Sequence, residues 1–258
     1  MSDEPVLLSI DGAVATLAIN RPASRNSLLR GMGGMLHARL REVAVSEAVR
    51  VLVLRGTGTD FCAGADLKAK SVPGEPLPPP DFDAYQVSVM LHEMPQVTIA
   101  AMRGACAGAG LGYAAACDLR VGDDDVRINA AFLDVGVAGD MGVPWTLSRL
   151  IGPGRARDMM FFPRKVGSRE ALDIGLLQRV WTGEAFEAEL ATFVARLAAA
   201  APLALNAMKA NFVEAERTDL RSFITIEAER HIRLLKTDDR IEAFKAWVEK
   251  RNAIFFGR

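Results

Sequence analysis

The hydrophobic pattern of the chain changes from strand-like runs to helix-like spacing. Residues 6–10 and 13–19 are short runs rich in Val, Ile and Leu, and Asp11-Gly12 joins them. This dipeptide between two such runs is typical of a tight β-hairpin. Over residues 27–49, apolar side chains recur every three or four positions, which predicts an amphipathic helix. The chain is therefore expected to open with an antiparallel strand pair and a helix.

Two continuous apolar runs, residues 51–54 and 97–101, predict strands that are buried on both faces. Between them, residues 71–83 hold five of the twelve prolines, which predicts a loop and not a helix. From Gly142 onward the spacing is almost wholly helical, and it predicts helices at 142–151, 155–162, 168–175, 184–200, 203–217, 221–235 and 238–252. The pattern thus indicates an α/β fold with a helical C-terminal region that begins near the bend at Ala201-Pro202.

Composition limits the classes of partner. The chain has 258 residues, with 31 Lys and Arg against 32 Asp and Glu, so it has no bulk positive field for nucleic acid or an anionic membrane. Its first residues lack a signal-peptide pattern, and no uncharged apolar run has the length of a membrane span. We therefore expect a cytoplasmic protein with no nucleic-acid partner and no membrane partner.

Neither the cysteines nor the histidines have the spacing of a structural motif. Cys62, Cys106 and Cys117 are three in number and suit neither a disulfide framework nor a zinc site. No pair of histidines has metal-ligand spacing. We expect three small buried thiols and no metal.

The strands at 51–54 and 97–101 both lead into loops of small residues, at 55–67 and 103–112. Small residues let a ligand approach the backbone, so that peptide N–H groups become the donors. Two such loops from neighbouring parallel strands can offer one N–H each to the same oxygen, which is an oxyanion hole. A dinucleotide fingerprint is disfavoured because Tyr113 stands where that motif needs glycine. Close helix–strand packing remains an alternative reason for the glycines.

Several segments resemble, in order, the motif series of the crotonase (enoyl-CoA hydratase/isomerase) superfamily. They are NRPASRNSL (20–28), FCAGADL (61–67), IAAMRG (99–104), GAGLG (108–112), CDLR (117–120), GVPWTLSRLIG (142–152) and ALDIGL (171–176). The resemblance implies a spiral core of ββα units over residues 1–200 and a helical trimerisation region over 201–258. It also implies a homotrimer or a dimer of trimers, and an acyl-CoA substrate that brings coenzyme A with it, without a prosthetic group.

The resemblance assigns roles to particular residues. It places two oxyanion donors on the backbone N–H groups of Ala63 and Ala109. It places the contacts to coenzyme A on Ser24, Arg25, Ala65, Asp66 and Leu67, and on Phe244 and Lys250 of the same or a neighbouring subunit.

The two glutamates of the family's hydratases are absent, since Gly112 and Phe132 stand at their positions. The resemblance offers another acid, Asp140, at a position that is a catalytic aspartate in dienoyl-CoA isomerases and a nucleophile in aryl-CoA dehalogenases. A single carboxylate is sufficient to move a proton between two carbons of an enolate. An apolar pocket around it would raise its pKa. Asp140 also fits the N-cap of the helix near Gly142, and the two roles are compatible.

Three functions follow as hypotheses. The first is an isomerase or atypical hydratase with Asp140 as acid/base, the second a non-catalytic CoA-thioester binding protein, and the third a dehalogenase-like or thioester-hydrolase-like enzyme with Asp140 as nucleophile. Other polar residues are expected to have structural or solvated roles: Asp66, Asp118, His37, His92 and His231.

Overall fold

The strand-like runs at the start of the chain pair as the sequence predicts. A computed structural model describes residues 4–68 and 82–258. Strand β1 (Val6–Asp11) pairs antiparallel with β2 (Val14–Ile19), with Val6 opposite Ile19. Gly12 lies in the turn with φ +54°, in the left-handed region that glycine reaches without strain. The predicted hairpin is confirmed.

A six-stranded sheet forms the centre of the molecule. Its order is β1-β2-β3-β4-β6-β9, and every neighbouring pair from β2 onward is parallel. A smaller sheet has the order β5-β7-β8. The remaining strands are β3 (Val51–Gly56), β4 (Val97–Met102), β5 (Ala105–Ala107), β6 (Leu119–Asp123), β7 (Arg127–Asn129), β8 (Val166–Gly167) and β9 (Arg179–Trp181).

Both predicted buried strands are confirmed, and each is covered on two sides. Leu52 and Leu54 of β3 face a large apolar cluster that also contains Leu36 of the first helix. Val51 and Val53 face a second cluster with Phe186, Leu190 and Val194. Burial on both faces explains why these strands read as continuous apolar runs instead of alternating ones.

Ten α-helices are described within residues 4–68 and 82–258. They are α1 (Met32–Ala44), α2 (Phe82–Glu93), α3 (Ala109–Ala116), α4 (Val143–Ile151), α5 (Pro153–Phe161), α6 (Ser168–Asp173), α7 (Phe186–Ala198), α8 (Pro202–Ala215), α9 (Leu220–Leu234) and α10 (Asp238–Glu249). The seven helices predicted after Gly142 are confirmed to within a few residues at each end. The same region also contains strands β8 and β9, which the helical spacing did not predict because they are only two and three residues long.

Helix α1 begins five residues later than the apolar spacing predicts. Gly31 precedes it with φ +85°, and Leu28 forms a parallel bridge with Ala65. The segment before Met32 is therefore extended and pairs with a distant loop. A helix starting at Ser27 is wrong because this long-range pairing takes the backbone groups that a helix would use.

The proline-rich segment lies mostly outside the described residues, which resume at 82. Phe82 and Asp83, its last two residues, belong to α2, so the predicted loop is wrong at its end. The prolines stop at Pro80, and the helix packs through Val87 and Leu91 against the main core. The rest of that loop stays a prediction.

The C-terminal helices turn away from α7 at the predicted bend. Helices α7 and α8 meet at 98°, and Pro202 is at the start of α8. Among the described residues no single helix is long and apolar enough to cross a membrane, although α7 and α8 would pass as a bent pair by length and composition. The domain boundary near residue 200 stays a prediction.

Candidate active site

The two loops of small residues lie against each other, backbone to backbone. The backbones of Cys62 and Cys106 pair as an isolated parallel β-bridge. The Cys62 N–H donates to the Ala105 carbonyl, and the Cys62 carbonyl accepts from the Ala107 N–H, each at 2.9 Å. A Cβ on Gly64 would lie 3.0 Å from the Ala107 carbonyl oxygen. The glycine is therefore required for this close approach, and the loops after β3 and β4 form one surface.

On this surface the backbone N–H groups of Ala65 and Ala109 are among those that donate no hydrogen bond to the described residues. Ala109 is the first residue of α3. The N-terminus of a helix carries partial positive charge, which favours an anionic oxygen. By contrast, the Ala63 N–H donates to the Arg25 carbonyl at 3.0 Å. Ala63 therefore differs from expectation, because its N–H already donates within the protein, whereas the N–H of Ala65, two residues later, has no partner among the described residues.

A buried asparagine fixes the first loop to the segment before α1. Asn26 is fully buried, and its side-chain NH₂ donates to the carbonyls of Thr57 at 2.8 Å and Asp60 at 2.6 Å. The Asp60 carboxylate accepts from the Ala105 N–H at 2.7 Å, which ties the second loop to the same point. Neither residue was predicted to belong to the site. Asn26 lies within the matching segment 20–28 and Asp60 directly precedes the segment 61–67, and these positions are what could have indicated a role.

At Gly112, the position of the first missing glutamate, the side chain of Met141 fills the space that a side chain there would need. A Cβ on Gly112 would lie 2.4 Å from the Cβ of Met141, far below any normal contact. Met141 has φ +50°, a strained value for a residue with a side chain. The chain bends at Met141 so that its side chain occupies the space beside the first turns of α3.

The position of the second missing glutamate is apolar and buried. Phe132 is 4% exposed, and its ring edge would lie 4.0 Å from a Cβ on Gly108. A phenyl ring thus lies next to the N-terminus of α3. Neither hydratase position offers a carboxylate, as the sequence predicts.

Asp140 precedes Met141 and is half-buried beside this region. Its Oδ1 is buried with no hydrogen-bond partner among the described residues, and burial raises the pKa of its carboxyl group. The expected N-cap is wrong: Gly142 is the N-cap of α4 and no side chain caps this helix. Only the backbone carbonyl of Asp140 takes part there, accepting from Val143 at 3.1 Å. The carboxylate of Asp140 therefore does not cap α4 and is available for catalysis.

The residues predicted to contact coenzyme A form two groups. Ser24, Arg25, Ala65, Asp66 and Leu67 lie on two adjoining segments, where Arg21 pairs with Asp66 at 2.9 Å. The pKa of Asp66 is lowered mainly by its bond from Arg21. Arg25 makes two bonds to Asp60, at 3.0 and 3.2 Å, which raise its pKa. Leu67 is 74% exposed. We call these five residues the rim; it includes Ala65, whose N–H has no partner among the described residues.

The second group lies on the last helix. Phe244 stacks near Trp247 with ring centroids 6.5 Å apart, and Lys250 ends α10 in a left-handed conformation. Their predicted contact with coenzyme A, in the same or a neighbouring subunit, stays a prediction.

The remaining polar residues behave as structural groups. All three cysteines are free and buried, and burial raises the pKa of Cys62 to about 12, which disfavours a thiolate nucleophile. Asp118 accepts from Thr98 N–H at 2.7 Å and pairs with Lys209 at 2.8 Å. Within the described ranges, no group of His, Cys, Asp or Glu is arranged to hold a metal ion.

Comparison with known proteins decides the family. The family model described as enoyl-CoA hydratase/isomerase matches residues 9–258. The chain belongs to the enoyl-CoA hydratase/isomerase family. The crotonyl-CoA hydratase of Syntrophomonas wolfei is 29% identical over 263 residues, covering 100% of both chains. YngF of Bacillus subtilis is 31% identical over 246 residues, 95% of each chain.

Solved structures of this family share the fold. An enoyl-CoA hydratase from Bacillus anthracis superimposes with a TM-score of 0.90 at 26% identity, covering 99% of this chain and 100% of that chain. The predicted crotonase-type α/β fold is therefore confirmed. Membership also supports an enzyme that acts on CoA thioesters without a prosthetic group.

Proposed function

We propose that the protein is an acyl-CoA isomerase that forms an enolate and moves a proton with Asp140. The observation that carries this proposal is the combination of two unused amides, on Ala65 and Ala109, with one buried carboxylate oxygen that lacks a partner. Unpaired buried polar groups are rare in native proteins and often mark a functional site. Hydration is disfavoured because Gly112 and Phe132 supply no second acid.

The amides act on the thioester carbonyl. When a proton leaves the α carbon, the C–H electron pair moves into the thioester and negative charge develops on its oxygen. The Ala65 and Ala109 N–H groups donate to that oxygen, and the α3 N-terminus adds its partial positive charge. Loss of one such donor typically costs about 2.7–4 kcal/mol in the transition state.

Asp140 supplies the base and then the acid. Its carboxylate takes the proton from the α carbon, and the resulting carboxyl group returns it to the γ carbon, so the double bond moves by one position and no atom is lost. Because burial raises the pKa of Asp140, its carboxylate is a stronger base than an exposed one. The apolar Phe132 and Met141 keep water away from the enolate.

The coenzyme A end is held by local groups, because the chain carries a net charge of only −1. The rim formed by Ser24, Arg25, Ala65, Asp66 and Leu67 combines backbone groups, one exposed guanidinium and an exposed apolar side chain. Such a rim suits a ligand that is anionic at one end, while the buried apolar region suits its acyl end.

The substitution Asp140→Asn tests this function. With β,γ- and α,β-unsaturated acyl-CoA thioesters, we expect turnover to fall by about 10²–10⁴-fold, while the dissociation constant of a saturated acyl-CoA, measured by calorimetry, stays within about twofold. Asp134→Asn, an exposed aspartate of the same segment, serves as the control and should keep full activity.

Two other results would replace the proposal. A covalent acyl adduct on Asp140, detected by mass spectrometry, would favour a dehalogenase-like or hydrolase-like enzyme. Binding of several acyl-CoA thioesters with turnover of none, in the unmodified protein, would favour a non-catalytic binding protein.

A further inference from the structure

Two of the segments that match the family have no part in the site described above. They are CDLR (117–120) and ALDIGL (171–176). One side chain joins them, because the Arg120 Nε donates to the carbonyl of Leu176 at 2.9 Å. Arg120 is 1% exposed, and burying a charge is costly unless its donors are hydrogen-bonded. The bonds of this guanidinium therefore indicate what the two segments do.

Arg120 donates to the C-terminal end of α3. Its Nη1 donates to the carbonyl of Cys117, the C-cap of this helix, at 2.6 Å, and to that of Ala115 at 3.5 Å. The last carbonyls of a helix have no partners within it, and a cation beside them is stabilising. Arg120 therefore caps α3 at the end opposite to the Ala109 N–H.

The same guanidinium is fixed on its other side by the segment before β9. Its Nη2 donates to the Gln178 Oε1 at 3.2 Å, and this oxygen also accepts from the Arg120 N–H at 2.8 Å. The acceptors of the guanidinium are all carbonyl or amide oxygens. Burial lowers the pKa of Arg120 to about 10, so the side chain stays charged at neutral pH. Its planar fork thus connects α3 to a segment that lies more than fifty residues later.

Helix α3 depends on such support because its own sequence is weak for a helix. Two of its eight residues, AGLGYAAA, are glycines, which are less favourable in a helix than alanine. Gly110 is required there, since a Cβ on it would lie 2.6 Å from the Cys62 carbonyl oxygen. No side chain caps the N-terminus of α3, and short helices are marginal by themselves. Packing and the bonds at its C-terminal end therefore set its position.

We propose that Arg120 is a positioning residue for the proposed reaction: by holding the C-terminal end of α3, it fixes the direction in which the Ala109 N–H meets the thioester oxygen. The inference rests on the proposed function, because it takes that oxygen to be bound at Ala109. At 1.5 Å per residue, the capped end lies about 12 Å from Ala109, so Arg120 acts through the helix. A misplacement of about 1 Å can lower a rate about 10²-fold, so a small tilt of α3 is sufficient.

The test compares Arg120→Lys with the unmodified protein. Lysine keeps the charge but replaces the planar fork by one ammonium group, which cannot hold the acceptors on both sides. We expect kcat for an unsaturated acyl-CoA to fall about 10–100-fold. KM should stay within about twofold, because the predicted contacts to coenzyme A lie on other segments. The pH profile of kcat should keep its shape, since Asp140 is not on α3.

Arg50→Lys is the matched control, because Arg50 has the same structural task at a different helix. Its guanidinium donates to the carbonyls of Ala198 at 2.8 Å and Ala200 at 3.1 Å, at the C-terminal end of α7, and to that of Phe255 at 2.9 Å. Arg50 precedes β3, whereas the two loops of the site follow β3 and β4. Arg50→Lys should lower the urea midpoint, as Arg120→Lys does, but keep kcat.

A spectroscopic readout separates positioning from stability. The absorbance of a conjugated arylacryloyl-CoA moves to longer wavelength when hydrogen bonds polarise its thioester carbonyl. At saturating ligand, we expect this shift in the unmodified protein and in Arg50→Lys, and a smaller shift in Arg120→Lys. If Arg120→Lys does not fold, Gln178→Ala replaces it. This variant removes one acceptor of Arg120, so kcat should fall about two- to tenfold and the absorbance shift should shrink.

Two results would overturn the inference and leave the proposed function standing. One is a kcat and an absorbance shift in Arg120→Lys, or in Gln178→Ala where it replaces that variant, equal to those of the unmodified protein. The other is an equal loss of kcat in Arg120→Lys and Arg50→Lys, which would show a general effect of stability. If the unmodified protein neither turns over any thioester nor shifts the absorbance, the proposed function itself is wrong, and the inference fails with it.

Discussion

At Gly112 the absence of a side chain allows Met141 to pack against α3. The two residues act as a pair, since neither a larger residue at Gly112 nor a straight backbone at Met141 is compatible with this packing. The loss of a hydratase glutamate is thus more than a missing carboxylate. The apolar side chain of Met141 occupies that space instead.

Gly112→Ala should destabilise the fold by about 1–3 kcal/mol, even though alanine favours a helix by about 1 kcal/mol, because its Cβ would meet that of Met141. The loss should shrink in a Met141→Gly background, where this contact is gone, and a double-mutant cycle in urea measures the coupling. Gly154→Ala on α5, where a Cβ meets nothing within 4 Å, should be neutral or slightly stabilising. Equal losses in both backgrounds would contradict the packing argument.

Asp140→Asn should stabilise the protein at neutral pH while it abolishes turnover. Burial raises the pKa of Asp140 in the folded state above its unfolded value. The stability linked to this carboxyl is therefore full below the unfolded pKa and is lost as pH rises through the folded pKa. Asparagine, which stays neutral, avoids that loss.

Thermal unfolding of the two proteins across pH 3 to 8 measures the effect. Their midpoints should converge at the acid end and separate towards neutrality, with the asparagine variant higher. Asp134→Asn should show no such separation. A constant difference at all pH values would indicate a change in packing instead of a change in charge.

At the scale of elements, a buried lysine connects the C-terminal helices to the spiral core. The Lys209 Nζ on α8 donates to the carbonyls of Leu91 at 3.1 Å and Gln96 at 2.8 Å, and it pairs with Asp118 at 2.8 Å. Burial lowers the pKa of Lys209, and Asp118 opposes this shift. One side chain therefore ties α8 to the segments on both sides of β4.

Lys209→Met should cost about 3 kcal/mol, because it removes the cation paired with Asp118 and the donor to the Gln96 carbonyl. The value lies at the low end for a broken buried pair since the Asp118 side chain remains 27% exposed. Urea unfolding measures it. Arg169→Met removes an exposed pair with Asp173 and should change stability by less than about 1 kcal/mol. Similar losses for the two variants would show that Lys209 is not an anchor.

At the scale of the molecule, the last three helices expose several large apolar side chains. Phe212, Leu220 and Trp247 are 72%, 76% and 78% exposed, and they lie on α8, α9 and α10. Exposed large apolar side chains are often buried at subunit interfaces. We propose that these helices form the trimer contact that the family resemblance implies.

Light scattering after size exclusion should give three or six times the mass of one chain. Trp247→Glu should shift the protein towards smaller species, because a charge cannot be buried unpaired at an interface. Val45→Glu, exposed but outside these helices, should not. A wild-type protein that runs as a monomer at micromolar concentration would contradict the trimer.

The sequence alone determined much of the architecture. The hairpin at Asp11-Gly12, the two doubly buried strands and the late helices could be predicted because their signals are local: turn chemistry, continuous apolar runs and helical spacing. The order of the matching segments was enough to predict the family. The lack of both hydratase glutamates was also readable directly, at Gly112 and Phe132.

Tertiary structure decided what depends on contacts between distant residues. Which loop amide is free, Ala65 and not Ala63, depends on a bond to Arg25 nearly forty residues earlier. Helix α1 begins later than its apolar spacing predicts because Leu28 pairs with Ala65. The packing of Met141 against Gly112 brings together residues that are 29 positions apart in the sequence (141 − 112). The hydrophobic pattern of a segment indicates which of its side chains are buried, but it does not indicate which distant atom forms a hydrogen bond with each of its polar groups.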